Sequence, residues 1–516
     1  MKTAETILIL DFGSQYTQLI ARRIREQHVY CIIHPYDLPL PKIRSLSPKG
    51  IVLSGGPAPG NQDAVNRFDP RVFDLGVPIL TIGYGLQNLA RDLGHETEGS
   101  RIAKYGPAKL TTDLQAGIFS NIRQGEILDV WMGAAENVDR LPEGFKVLAH
   151  TAGCPYAAVG DTQRHIYGLQ FHPEVHHTQS GPEILRTFVR EVCGCLGLWT
   201  MSSFLDTALT DVKEQVGDEG RVVCGLSGGV DSSVTAALIH KAIGDRLTCI
   251  FVNNGLLRED EFDQVQEVFR DKFNIPLLAI DATDRFLTAL DGVTDPERKR
   301  KTIGRIFIEV FEEAAADIEG ASFLAQGTLY PDVIESVSAS GSSVAIKSHH
   351  NVGGLPEKMN LELVEPLREL FKDEVRDLGR LLGLPDSLLQ RWPFPGPGLG
   401  VRVLGELTRE RLDILRAADR IFQEEIRAAD LYNEIWQGFV VLLPVKSVGV
   451  SGEQRTYENP CVIRAVHSTD GMTADWVRLP HEVLATISTR IMNEVSGINR
   501  VAYDISSKPP ATIEWE

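Results

Sequence analysis

Val222-Val223-Cys224-Gly225-Leu226-Ser227-Gly228-Gly229-Val230-Asp231-Ser232-Ser233 is the stretch that decides the fold of this 516-residue chain. Its first five residues form a short apolar run, the pattern of a buried parallel strand. At the two adjacent glycines, backbone N–H groups can close on an anion with no Cβ in the way. Ser232 and Ser233 then open a helix through Val234-Thr235-Ala236-Ala237-Leu238-Ile239, and the positive end of its dipole favours phosphate. The loop lacks the Gly-Lys-[Ser/Thr] ending of a Walker loop, which disfavours an enzyme that splits off the γ-phosphate. An ordinary strand–turn–helix is the bland alternative, and the glycines, Asp231 and both serines falling together at a strand end argue against it.

Around this loop, apolar runs at 222–226, 247–252, 277–280 and 323–325 alternate with helical stretches such as 262–273. That alternation predicts a doubly wound parallel sheet. The first two hundred residues predict a second α/β unit, with strands at 7–10, 51–53 and 78–82 and a helix at 87–93. Each strand runs into a glycine turn: Asp11-Phe12-Gly13, Ser54-Gly55-Gly56-Pro57 and Gly83-Tyr84-Gly85. Ligands of open α/β sheets bind at such carboxyl ends. A boundary is predicted at 194–200, with Trp199 packing at the junction. The run Arg391-Trp-Pro-Phe-Pro-Gly-Pro-Gly-Leu-Gly-Val-Arg-Val403 suits a linker or a rigid ligand-binding turn. Beyond it, helices at 408–428 and 481–494 mix with strands at 439–443 and 462–467. Three domains are expected, over 1–198, 199–396 and 397–516.

The net charge of −18 repels polyanions, so nucleic acid and membrane surfaces are not expected partners. The apolar run 7–10 is too short for a signal-peptide core or a membrane span. The seven cysteines contain no C-x-x-C pair, and Cys193-Gly-Cys195 reads as a buried reduced pair. A reduced cytoplasmic enzyme is expected. Glu297-Arg298-Lys299-Arg300-Lys301 is either a solvated helix face or a basic site. Metal binding at His349-His350 is not expected, because adjacent loop residues seldom both reach one ion.

The loop Ser-Gly-Gly-Val-Asp-Ser-Ser resembles the pyrophosphate loop of the N-type ATP pyrophosphatases, which cut ATP between its α- and β-phosphates and transfer AMP to a carbonyl oxygen. Four further stretches, 324–336, 346–357, 393–399 and 503–516, extend the likeness. Over essentially its full length the chain resembles the glutamine-hydrolysing GMP synthases. The resemblance implies a flavodoxin-like class I amidotransferase domain, an ATP pyrophosphatase domain and an α+β dimerisation domain, in a homodimer. It implies adenylation of the C2 oxygen of xanthosine 5′-monophosphate (XMP), with ATP and Mg²⁺, release of pyrophosphate, and displacement of AMP by ammonia to give GMP. By the same resemblance Ser227, Gly228, Gly229, Val230, Asp231, Ser232 and Ser233 hold pyrophosphate, with Asp231 orienting the loop or Mg²⁺. Lys372 and Glu374 are then contacts to ATP or the adenylate, beside a lid over 346–373. Arg300, Gln437, Lys508, Ile513 and Glu514 line the XMP pocket. For each single residue a plain surface salt bridge is the alternative.

The amidotransferase domain departs from its family. Gln170-Phe171-His172-Pro173-Glu174-Val175 supplies the His and Glu of a glutaminase triad. The family's elbow reads Gly-Ile-Cys-Tyr-Gly-Met-Gln, whereas this chain reads Thr81-Ile82-Gly83-Tyr84-Gly85-Leu86-Gln87. Gly83 stands at the nucleophile position, so neither a thiolate nor a glutamyl thioester can form. The family's Trp-Met-Ser-His-Gly-Asp is here Trp131-Met132-Gly133-Ala134-Ala135-Glu136. The oxyanion and glutamine remnants Gly55, Gly56, Tyr84 and Gln87 are kept. An introduced substitution at Gly83 and a natural loss are both open, and the second departure favours natural loss. The expectation is an ammonia-dependent enzyme. The alternatives are another ligase built on the same loop and a nucleotide-sensing pseudoenzyme, and a partner glutaminase is a variant of the main reading.

Overall fold

A computed structural model describes residues 5–14, 16–55, 69–83, 106–133, 141–339, 361–452, 454–468, 471 and 473–516. It divides into two compact units, 1–204 and 205–516.

In the first unit the expected strands form as β1 (Thr6–Asp11), β3 (Gly50–Leu53) and β4 (Ile79–Ile82), joined by β2 (Tyr30–Pro35) and β9 (Ile166–Leu169). These five are parallel, in the order β2-β1-β3-β4-β9. Each of β1, β3 and β4 is a mostly apolar run buried along its length, as a strand in a parallel sheet covered on both faces demands. Sequence reading missed the other half of this sheet. There β8 (Cys154–Asp161), β7 (Lys146–Thr151), β5 (Gly106–Thr112) and β6 (Ile127–Met132) continue it antiparallel. Trp199 packs within this unit, its ring 4.8 Å from that of Tyr30 and 5.5 Å from that of Phe204.

In the second unit the strands β10 (Arg221–Leu226), β11 (Leu247–Asn253), β12 (Leu277–Asp281), β13 (Ala321–Ala325) and β14 (Glu362–Val364) form one parallel sheet. The order is β12-β11-β10-β13-β14, so strand order reverses beside β10. A switch point of this kind opens a crevice at the carboxyl ends of the strands, and Ser227–Gly229 follow β10 there. The helix Val230–Ile243 begins two residues earlier than expected, with Gly229 extended as its N-cap.

A second sheet follows around the long strand β17 (Gln454–His467). It pairs antiparallel with β15 (Gln437–Leu442), β16 (Ser447–Ser451) and β18 (Asp475–Trp476), and parallel with β19 (Ile498–Tyr503). The helix Arg409–Ala428 is capped by Thr408, whose Oγ1 accepts from Arg411 N at 3.2 Å. One core runs from Val223, Ile250 and Phe311 through Leu399 and Leu412 to Phe422, Ile463 and Ile491. The expected boundary at 396/397 falls inside this core. Among the described residues no helix is long and apolar enough to cross a membrane.

Candidate functional site

The first candidate site lies at the carboxyl ends of β1, β3, β4 and β9. Asp11, at the end of β1, organises the neighbouring turns. Its Oδ1 accepts from Gly13 N at 2.9 Å, Thr17 Oγ1 at 2.6 Å and Ser54 Oγ at 3.2 Å. Gly55 is thereby held next to the end of β4, where a Cβ on it would lie 3.7 Å from Ile82 O. Gly83 follows β4 with φ +59°, the left-handed region. Its N–H donates to Leu169 O at 2.7 Å. A Cβ added to Gly83 would have as nearest neighbours Gly55 Cα and His172 Cε1, each at 3.9 Å. Among the described residues the position is open, and it borders Gly55 and the imidazole.

His172 and Glu174 form a buried pair, with Nδ1 and Oε1 2.7 Å apart. Glu174 is 0 % exposed and His172 8 %. Thr178 Oγ1 donates to His172 O at 2.7 Å and accepts from Trp131 N at 3.1 Å. The Tyr16 ring lies edge-on to the imidazole at 4.8 Å. The pair has the geometry by which a carboxylate orients an imidazole, and Cε1 of that imidazole lies 3.9 Å from where a Cβ on Gly83 would stand. Gly56, Tyr84, Gln87 and 134–136 lie outside the described residues.

The second site is the switch-point loop. Gly228 has φ +73°, which a glycine adopts freely. Ser227 N donates to Ser232 Oγ at 3.2 Å, and Ser233 Oγ donates to Gly229 O at 2.6 Å. The serines therefore tie the loop to the first helical turn. Lys372, at the start of the helix Lys372–Leu381, reaches across to Asp231 and donates to its Oδ1 at 2.6 Å. Glu374 Oε2 accepts from Phe371 N at 2.9 Å, a cap on that same helix. Arg391 Nη1 donates to Gly228 O and Glu261 Oε1, both at 3.2 Å. Among the described residues no cluster of three His, Cys, Asp or Glu is arranged to hold a metal. His349 and His350 lie outside the described residues, as does most of the expected lid.

The expected XMP residues distribute along the C-terminal strip. Gln437 Nε2 donates to Glu514 Oε1 at 2.8 Å, which brings these two together. Ile513 packs with Phe439, Val441 and Val466. Lys508 Nζ donates to Gly471 O at 2.7 Å, beside the backbone bridge of Lys508 to Ala474. Arg300 donates to Glu516 O. Sequence reading missed two neighbours of this strip. Lys299, in the basic cluster, is fully buried and donates to Val403 O at 2.7 Å and Glu516 Oε2 at 2.5 Å. Burial pushes its ammonium below the usual lysine range, and Glu516 opposes that shift. Arg402, fully buried, grips Glu514 with Nε at 3.1 Å and Nη2 at 2.8 Å.

Comparison with known proteins gives each part a relative. The family "Glutamine amidotransferase class-I" matches residues 8–192, "NAD synthase" matches 203–302 and "GMP synthase C terminal domain" matches 424–515. Proteins named GMP synthase [glutamine-hydrolyzing] match along the whole chain. The one from Zymomonas mobilis subsp. mobilis is 56 % identical over 516 residues, 99 % of this chain and 98 % of that protein. Those from Bartonella quintana and Phenylobacterium zucineum are 55 % and 56 % identical, each over 99 % of both chains. By full-length identity at this level, the chain belongs to the GMP synthase family.

Proposed function

We propose that this chain aminates XMP to GMP with ATP and takes its nitrogen from free ammonia rather than from glutamine. Family membership and the ordered switch-point loop support the synthetase half. The backbone N–H of Gly228 and those of the first turn of the Val230–Ile243 helix receive the leaving pyrophosphate. Lys372 neutralises Asp231 beside that anion. The XMP C2 oxygen attacks the α-phosphorus of ATP, pyrophosphate leaves, and ammonia then adds at C2 and expels AMP. Catalysis rests on positioning and fixed charge rather than on a covalent enzyme intermediate.

Mg²⁺ fits as a companion of ATP and not as a resident ion. Asp231 is the one carboxylate on the loop, and its oxygens are engaged by Lys372. A divalent ion carried on the triphosphate supplies charge neutralisation at the leaving group. Arg300, Gln437, Lys508, Ile513 and Glu514 form the XMP pocket in this reading, and the sheet around β17 carries the homodimer contact.

One observation supports the ammonia assignment: Gly83, with φ +59°, borders His172 and Gly55 at the position where the resemblance places the nucleophile, and it has no side chain. Loss of the nucleophile from a catalytic triad typically costs on the order of 10⁶ in turnover. Glycine also relieves the left-handed strain a side chain would carry there, about 1–2 kcal/mol. GMP formation with XMP, ATP and Mg²⁺, supplied with either glutamine or ammonium, tests the reading. Ammonium alone should support turnover; robust synthesis from glutamine alone would overturn it.

A further inference from the structure

Arg402 is the last polar residue of the proline–glycine run, and it follows the short turn Gly398–Val401. Its side chain is fully buried, in a setting where an arginine persists only if paired. The pairing is bidentate, with Nε and Nη2 on the two oxygens of Glu514 at 3.1 and 2.8 Å. A planar fork on a planar carboxylate fixes the orientation of both groups. Two rings hold the guanidinium in turn, with Phe439 at 4.1 Å and Phe394 at 5.1 Å from its carbon. Phe394 also lies under Arg258 at 4.5 Å. The Glu514 oxygen that Arg402 Nη2 contacts also accepts from Gln437 Nε2 at 2.8 Å. Gln437 itself is anchored by donating to Pro393 O at 3.1 Å. Both Arg402 and Pro393 belong to the run 391–403, so this stiff segment supports Glu514 from two directions.

We infer that Arg402 is a positioning residue for XMP recognition: it sets the plane and charge of Glu514, and through Glu514 the amide of Gln437. The inference rests on the reading above that Glu514 and Gln437 line the XMP pocket. A lysine cannot replace the fork, because an ammonium is a point charge with no bidentate geometry.

The test uses the full chain with ATP, Mg²⁺ and ammonium saturating and XMP varied, for Arg402→Met, Arg402→Lys, Glu514→Gln and the double variant Arg402→Met with Glu514→Gln. Arg402→Met should raise the XMP KM about tenfold or more and leave the ATP KM within about twofold. The double variant should be no worse than the poorer single variant, the non-additivity of residues acting as one unit. Arg402→Lys should recover little of the loss. A purely structural role would instead raise the KM for ATP together with that for XMP, or lower kcat alone, and either result overturns the inference. If Glu514→Gln leaves the XMP KM unchanged, the pocket reading itself fails. If Glu514→Gln raises it while Arg402→Met does not, only the role of Arg402 fails. Should Arg402→Met not fold, Arg402→Lys decides: a raised XMP KM at parental ATP KM supports the inference, and parental values for both overturn it.

Discussion

The imidazole of His172 occupies the space that a side chain on Gly133 would need, since a Cβ there would lie 2.9 Å from Nε2. Gly133 N donates to Gln170 O at 3.1 Å and His172 N to Trp131 O at 2.9 Å, so the backbone pins both residues. Replacing Gly133 must therefore move the imidazole. Gly133→Ser should lower thermal stability by about 1–3 kcal/mol, the usual cost of overpacking. Ammonium-dependent GMP formation should stay at the parental rate. Scanning calorimetry alongside the ammonium assay checks both halves.

Gly83 makes the opposite prediction, because no described atom crowds the place its side chain would take. The seven native cysteines are all buried. Burial raises the thiol of Cys195 to about 11 and that of Cys461 to about 12, and pushes Cys193 well up. The folded parent should thus react slowly with an aromatic disulfide reagent. Gly83→Cys should add one fast-reacting thiol beside His172, for a stability cost of about 1–2 kcal/mol from the left-handed backbone. Thiol titration counts it, and glutamate release from glutamine above the parental background shows whether it has met its base.

Lys372 leaves Asp231 unpaired when its charge is removed. An unpaired carboxylate beside the loop repels the incoming triphosphate. Lys372→Met should raise the ATP KM about tenfold and leave the XMP KM unchanged. Steady-state kinetics with each substrate varied in turn separates the two.

Asp281, at the end of β12, gives a pH signature. The side chain and backbone N–H of Thr283 hydrogen-bond its carboxylate, the latter at 3.0 Å, and hold it below its ordinary 3.8. A carboxyl depressed in the folded state contributes stability above its unfolded value, and that contribution is lost as pH falls through the lower folded value. Asp281→Ala should melt below the parent at neutral pH, and the gap should narrow as the pH falls below 3.8. Melting curves at both pH values check it.

The parts of this fold written locally were legible in the sequence. The loop after β10 is such a part, because its glycines, serines and preceding apolar strand are contiguous. Of the parallel strands, β1, β3, β4, β10, β11, β12 and β13 were legible as apolar runs, whereas β2, β9 and β14 were not. The antiparallel half of the first sheet was not: β5 alternates only weakly between buried and exposed residues, and its pairing with β6 and β7 depends on distant register. The same limit hid Lys299 and Arg402. Within Glu297-Arg298-Lys299-Arg300-Lys301 nothing local marks Lys299 as the buried member, since its partners Val403 and Glu516 lie over a hundred residues away. Glu374 was singled out for substrate contact, and one of its oxygens serves the backbone of its own helix.

Isotope tracing of the nitrogen tests the central claim most directly. With XMP, ATP, Mg²⁺, amide-¹⁵N glutamine and unlabelled ammonium all present, the 2-amino group of the GMP formed is analysed by mass spectrometry. The account predicts unlabelled GMP at a rate set by the ammonium concentration. GMP carrying the glutamine label at the rate of its formation would contradict it.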